Sequence, residues 1–236
     1  MGIKINRTKP RQILASVLYR LHKLPLSNRG KFKLFLNLEW IFNRLSHELS
    51  FKIYKPENHP MRKRSYDFIL NFIQPEHLVL DLGCARGEIT STIAEKAKSV
   101  VGVDHNQELI DIAQKNHRRE NLKFLCMDAI DYLKNTDEKF DILVLSHILE
   151  HIDEPQAFLE KFKNFFRYIY VEVPDFDGTP LNHYRKDLNL SLIYSDDDHV
   201  SEFDRYELQD LLKQCNLRIL RSDYIFGLQR YWCEVI

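Results

Sequence analysis

The chain has 236 residues, 44% of them hydrophobic, which suffices for one substantial core with an appendage but not for two full-sized domains. Its 34 basic and 34 acidic residues balance only overall: residues 1–38 carry nine Lys or Arg and no acid, leaving 25 basic against 34 acidic residues in the remainder. No apolar run reaches the roughly 18 to 20 residues of a bilayer span, no signal-peptide core is visible, and Cys84, Cys126, Cys215 and Cys233 form no C-x-x-C pair. These features exclude a cysteine zinc cluster and a dithiol redox site, and the expectation is a soluble cytoplasmic protein with reduced thiols.

In chain order, Arg11–Leu24 places Ile13, Leu14, Val17, Leu18 and Leu21 on one helical face, and Pro25 stops it. A second helix is expected over about Leu34–Leu49, presenting Leu36, Trp40, Phe42 and Leu45. From Glu76 onward, apolar runs at 78–83, 99–104, 122–128, 140–146 and 168–174 alternate with helical patterns over Glu88–Ala97, Gln107–His117 and Pro155–Phe166. That alternation predicts a parallel sheet covered by helices. An irregular insertion spans 175–200, followed by a helix near Arg205–Cys215. Strands at 217–226 and 231–236, separated by Gly227, must pair antiparallel because so short a link allows no parallel return.

One motif asks for a zinc reading. His147, Glu150 and His151 in SHILEHIDEP, expected to open the helix after the fourth strand, fit H-x-x-E-H, in which two histidines one helical turn apart grip a metal and the glutamate activates water. The pattern has only three fixed positions, and a zinc pair needs a third ligand that the sequence does not convincingly supply; no metal is expected. Asp196-Asp197-Asp198 would suit a hard cation, but a solvated loop that ends in a helix cap is the favoured reading.

The stretch VLDLGCARGE, residues 79–88, points elsewhere. Three of the seven glycines, Gly83, Gly87 and Gly102, flank the first strand–helix–strand unit, where a missing Cβ lets backbone approach a ligand. The spacing is G-x-x-x-G, not the dinucleotide G-x-G-x-x-G. Asp81 and Glu88 bring carboxylates to a site where a pyrophosphate would need positive charge. A NAD-dependent oxidoreductase is therefore disfavoured. Asp104 ends the second strand about twenty residues after the glycine turn, where a carboxylate accepts hydrogen bonds from both ribose hydroxyls, and Asp128 ends the third, within reach of an adenine amine.

On these residues the sequence resembles the class I S-adenosylmethionine-dependent methyltransferases over about residues 62–236. VLDLGCARGEIT is similar to the family's first motif, with Ala85 where glycine is more usual; VVGVD, MDA, FDILVLSHILEHIDEP and IYVEVP continue the pattern. The resemblance implies a Rossmann-like seven-stranded, mostly parallel sheet with an antiparallel last strand, plus an N-terminal helical extension. The extension would be residues 1–60, a lid or dimer contact, and the catalytic domain 61–236 with an acceptor-site insertion at 175–200. It implies S-adenosyl-L-methionine as cofactor, held by Asp81, Gly83, Cys84, Ala85, Gly87, Asp104, His105, Asp128, Ala129 and Ser146. Of the candidate bases His147, His151, His183 and His199, His199 is expected to take the acceptor proton and His147 to contact the pocket.

No Asn/Asp-Pro-Pro-Tyr stretch follows the fourth strand, so methylation of a nucleic-acid base amine is disfavoured. The polar insertion (Asp175, Asp177, Asn182, His183, Tyr184, Arg185) and the NLEWIF segment resemble methyltransferases of bacterial surface-polysaccharide pathways, implying O-methylation of a sugar-containing acceptor. The alternative is a quinone or lipid-ring O-methyltransferase touching the membrane through residues 11–24. Monomer and homodimer both remain open.

Overall fold

The computed structural model describes residues 13–196 and 198–236. The first two positions of the expected Arg11–Leu24 helix and Asp197 of the acidic run lie outside the described residues. Seven strands, β1 (Leu78–Leu82), β2 (Ser99–Asp104), β3 (Leu122–Cys126), β4 (Ile142–Ser146), β5 (Tyr168–Pro174), β6 (Leu217–Ile225) and β7 (Leu228–Val235), form one sheet of order β3-β2-β1-β4-β5-β7-β6. β1 to β5 pair in parallel, and β7 runs antiparallel between β5 and β6, as the short 226–227 link requires.

Each central strand divides its side chains between two layers. Leu80, Leu82, Val101, Val103, Leu143 and Leu145 pack against α7 (Pro155–Phe162) and α9 (Arg205–Gln214). Val79, Val100, Ile142 and Val144 face Phe68 and Ile69 of α3 (Pro60–Leu70) and Ile93 of α4 (Glu88–Ile93). Burying each such side chain contributes roughly 1.5–3 kcal/mol, so a one-residue slip that exchanged the two sets would be strongly opposed. This locks the register and brings the carboxyl ends of β1, β2, β3 and β4 to one edge.

Several elements differ from the sequence expectation. The second helix, α2, runs Asn28–Ile53, well beyond 34–49, because Ser27 Oγ accepts from the Gly30 N–H and starts the helix before its apolar face begins. The N-terminal helix α1 covers only Ile13–Leu18 before a 3₁₀ turn, and Ile13 is exposed. Neither α3 nor α6 (Ala129–Asn135) was anticipated; α6 is capped by Asp128, which therefore follows β3 instead of ending it. The insertion is not wholly irregular: Thr179 caps α8 (Pro180–Asp187), with Pro180 at the first helical position. α5 (Gln107–Asn116) matches expectation.

SHILEH does not open a helix. His147 donates its backbone N–H to Glu172 O, extending the β4–β5 pairing by one residue, and turns the chain with φ +57°. Leu149–His151 is a single 3₁₀ turn, and α7 starts only at Pro155. His147 and His151 are thus not one helical turn apart on a shared face.

Candidate active site

The loop after β1 is built from left-handed residues. Gly83 has φ +68° and Gly87 φ +78°; a Cβ on Gly83 would stand 2.2 Å from Ile148 Cδ1, and one on Gly87 2.5 Å from Phe124. Ala85 also adopts a positive φ, +46°, carrying a methyl where the conformation favours glycine. Gly83 and Cys84 donate N–H groups to Val103 O, tying the loop to β2, and Cys84 is buried, which pushes its thiol well above the ordinary range.

Three carboxylates stand at or near the carboxyl ends of β1, β2 and β3, each with a distinct set of partners. Asp81 is 1% exposed and accepts from Thr90 Oγ1 at 2.6 Å; burial pushes its carboxyl up to about 7, with Thr90 opposing and Asp104 adding to the shift. Asp104 accepts from Ala85 N through Oδ2 and from Asn106 N through Oδ1, both at 2.9 Å. Each oxygen keeps a lone pair, so the group can still receive two ribose hydroxyls while it pins the glycine loop. Asp128 makes both of its capping bonds, to Ile130 N and Asp131 N, through Oδ1. Its Oδ2 points to no capping N–H and suits an adenine amine; Ala129 begins the helix it caps. His105 is highly exposed, its Nδ1 3.8 Å from Asp104 Oδ1. This donor set fits a nucleoside bearing an amino acid and a positive centre. Glu88, paired with Arg62 at 3.2 Å, is committed to α3.

At the end of β4, Ser146 Oγ donates to Glu172 Oε1 at 2.9 Å. His147 is 40% exposed; its Nδ1 lies 3.0 Å from Glu150 Oε1 and its Nε2 3.8 Å from Glu172 Oε1. Desolvation lowers the His147 pKa, but the Glu150 hydrogen bond and the two carboxylate charges outweigh it and raise the value overall. Beneath lies a buried ionic cluster that sequence reasoning missed. Arg230, 0% exposed, sits 2.5 Å from Glu172 and 3.1 Å from Asp223, and Glu172 also accepts from Ser65 Oγ and Tyr170 OH. The available signal was the charged residue in each apolar strand, Glu172 in IYVEVP and Arg230 in β7.

A cavity of about 510 Å³ opens beside His147. α2 contributes Trp40, Arg44 and His47, and the chain after β5 contributes Phe176, Asn182 and His199. A larger depression of about 690 Å³, lined by Glu154, Glu160, Glu202 and Glu207 among others, includes none of the β1–β4 end residues. The side chain of His199 is 5% exposed, its Nδ1 2.9 Å from Glu202 Oε1 and 3.2 Å from Ser195 Oγ. Several polar side chains of the insertion are engaged with other protein groups: Asp175 with Arg205, Asp177 with His183, and Arg185 with Asn182, Leu36 O and Glu39.

The sheet order, the glycine loop after β1 and the carboxylates following β2 and β3 define a Rossmann-like protein of the methyltransferase class. Residues 45–222 match the methyltransferase-domain family, and the chain belongs to that family, whose methyl donor is S-adenosylmethionine. A ubiquinone biosynthesis O-methyltransferase of Coxiella burnetii is 36% identical over 85 residues, 35% of this chain and 36% of that protein. A ribosomal protein L11 methyltransferase of Thermosipho africanus is 35% identical over 106 residues, 44% of this chain and 40% of that protein. The alignments thus span about two-fifths or less of these curated relatives. Magnesium protoporphyrin IX methyltransferase from Synechocystis, solved with bound S-adenosylhomocysteine, shares the fold with a TM-score of 0.58 at 15% identity, covering 83% of this chain and 94% of that one. The N-methyltransferase NodS of Bradyrhizobium japonicum, solved with the same product, gives 0.57 at 14% identity over 75% of this chain and 88% of that one.

Proposed function

We propose that the chain methylates a hydroxyl oxygen on a small ring-bearing acceptor held in the 510 Å³ cavity, with S-adenosylmethionine along the ends of β1, β2 and β3. The observation that carries this reading is the position of His147. It lines the cavity and is followed directly by Ile148, which packs on Gly83 of the cofactor loop. When bound, S-adenosylmethionine supplies an electrophilic methyl group on a sulfonium. Gly83, Asp104 and Asp128 would hold it, and the cavity walls would align the acceptor and exclude water, where positioning alone supplies effective molarities of roughly 10⁵ M or more. Glu150 holds the Nδ1 side of His147, which leaves Nε2 to take the hydroxyl proton.

The acceptor class follows from the walls. Trp40, Phe51, Phe176 and Phe226 line the cavity, whereas Asp175, Asp177 and Arg185 are consumed by internal pairs and do not favour a polyol. The likeness to a ubiquinone biosynthesis O-methyltransferase supports the same choice. Asn43 and His47 on the α2 wall support the second reading, a sugar-containing acceptor of surface-polysaccharide synthesis. α2 serves as the cover in either case. Exposed Tyr19, Leu24, Leu26 and Phe32 among basic neighbours support contact of this extension with an anionic membrane surface.

The test is methyl transfer to a panel of catechols, phenols and sugar nucleotides, with calorimetric titration of S-adenosylmethionine. His147→Ala should lower kcat about 10²- to 10⁴-fold with S-adenosylmethionine affinity retained. A larger kcat loss in His199→Ala than in His147→Ala would pass the base role to His199. Turnover of sugars with no phenolic turnover would replace the acceptor assignment.

A further inference from the structure

We propose that Glu150, His151 and His199 form a zinc-type divalent metal site that clasps residues 198–202 to the turn after β4. The three offer donor atoms that all lie within 4.8 Å of one another, although His151 and His199 stand 48 residues apart in the chain. The site goes beyond the methyl-transfer reading and does not depend on it.

Four observations converge. Glu150 has a side chain only 1% exposed; its Oε1 meets His147, but its Oε2 is buried without a hydrogen-bond partner. A buried carboxylate oxygen left unpaired is costly, and a cation would satisfy it. His199 has its Nδ1 on Glu202 Oε1, the carboxylate–imidazole arrangement that orients a metal-binding histidine and leaves Nε2 as the ligand atom. His151 has its Nδ1 3.2 Å from Asp198 O, which likewise leaves Nε2, and the two rings stand edge to face with centroids 4.7 Å apart. Finally, Val200 and Ser201 both donate backbone N–H groups to Glu150 O at 2.9 and 3.2 Å, so the two segments are already joined in register.

The donor chemistry selects the ion. One carboxylate and two imidazoles suit Zn²⁺ and its transition-metal neighbours, whereas Mg²⁺ and Ca²⁺ prefer oxygen throughout. Tetrahedral zinc with bonds of roughly 2.0–2.1 Å keeps its ligands about 3.4 Å apart, so side-chain rotation within the existing backbone closes the site. His151 is 33% exposed, which leaves a solvent-facing position for water as fourth ligand. The H-x-x-E-H pattern thus takes a different assignment: Glu150 becomes a ligand instead of the water-activating base, His147 is not in the set, and His199 supplies the third donor that the sequence lacked.

The experiment strips the full chain with a chelator and titrates it with Zn²⁺ and Co²⁺, reading stoichiometry by competition with a chromophoric chelator and the visible Co²⁺ bands. One equivalent should bind, raise the melting temperature, and bind at least about 100-fold more weakly in His199→Ala and His151→Ala. Glu202→Gln should weaken it about 10-fold. Absence of saturable binding by the wild-type chain overturns the site. So does binding that His151→Ala leaves unchanged, which would assign the metal to other histidines; this partly exposed position decides the matter if His199→Ala or Glu150→Gln does not fold.

Discussion

Asp81 is a carboxyl with almost no water around it, and that fixes a pH signature. Its folded pKa of about 7 lies above the ordinary value of 3.8, because burial disfavours the anion more than Thr90 stabilises it. Between those values the folded state holds a proton that the unfolded state has released. Stability is therefore greatest below about pH 4 for this group and falls as pH rises through 7, by at most roughly 4 kcal/mol. Asp81→Asn keeps an acceptor for Thr90 Oγ1 but has nothing to ionise. Denaturant unfolding from pH 5 to 8 should show the variant gaining on the wild type as pH rises; a constant difference would mean that Asp81 stays ionised throughout. Asp81, Gly83, Asp104 and Asp128 were all legible as site candidates, because three acids near the ends of successive strands beside a glycine turn are more than caps and turns alone call for. Their division of labour was not, since Asp104 holds the Ala85 N–H and Asp128 caps α6 only once β2, β3 and the loop lie side by side.

Among the elements, α2 depends on a contact from far along the chain. Arg185 of α8, 1% exposed, donates to Leu36 O at 3.0 Å and pairs with Glu39, both on α2, while Asn182 Oδ1 accepts from its other arm at 3.0 Å. Arg44 of α2 reaches Ser195 O and Asp196 Oδ1, each at 3.1 Å. The long helix is thereby stapled over the cavity by the segment that supplies the opposite wall. Arg185→Ala should loosen that staple, costing about 3 kcal/mol in the local closing equilibrium. The readout is faster amide exchange confined to α2 and α8, with β1 to β5 unchanged; uniform protection in the variant would show that apolar packing holds α2 without the arginine. The sequence signalled α2 through its apolar spacing, but neither its first turn nor its partner could be read, because capping and a contact across 149 residues leave no local periodicity.

In the whole molecule, Arg230 is the point where the two halves of the sheet and α3 meet. It is fully buried on β7 and joins Glu172 on β5, Asp223 on β6 and Ser65 on α3, while Arg64 of α3 closes the ring on Asp223. Removing the arginine leaves Glu172 buried without its cation and Asp223 with Arg64 alone, so Arg230→Ala should cost roughly 3–5 kcal/mol of global stability. Thermal and denaturant melting would report this, and a loss below 1 kcal/mol would mean that water or Arg64 takes over. The sequence by itself determined the sheet and the parallel sense of its first five strands, and marked the edge proposed for the cofactor, because strands buried on both faces must be apolar and a close backbone approach favours glycine; these are properties of single segments. Only the tertiary structure decided that SHILEH turns instead of starting a helix, that charges of the insertion pair with α2 and α9, and that His199 comes to Glu150 and His151. Each of those outcomes depends on how segments remote in sequence pack, and side chains meet across such separations only after the core has fixed the paths of the loops.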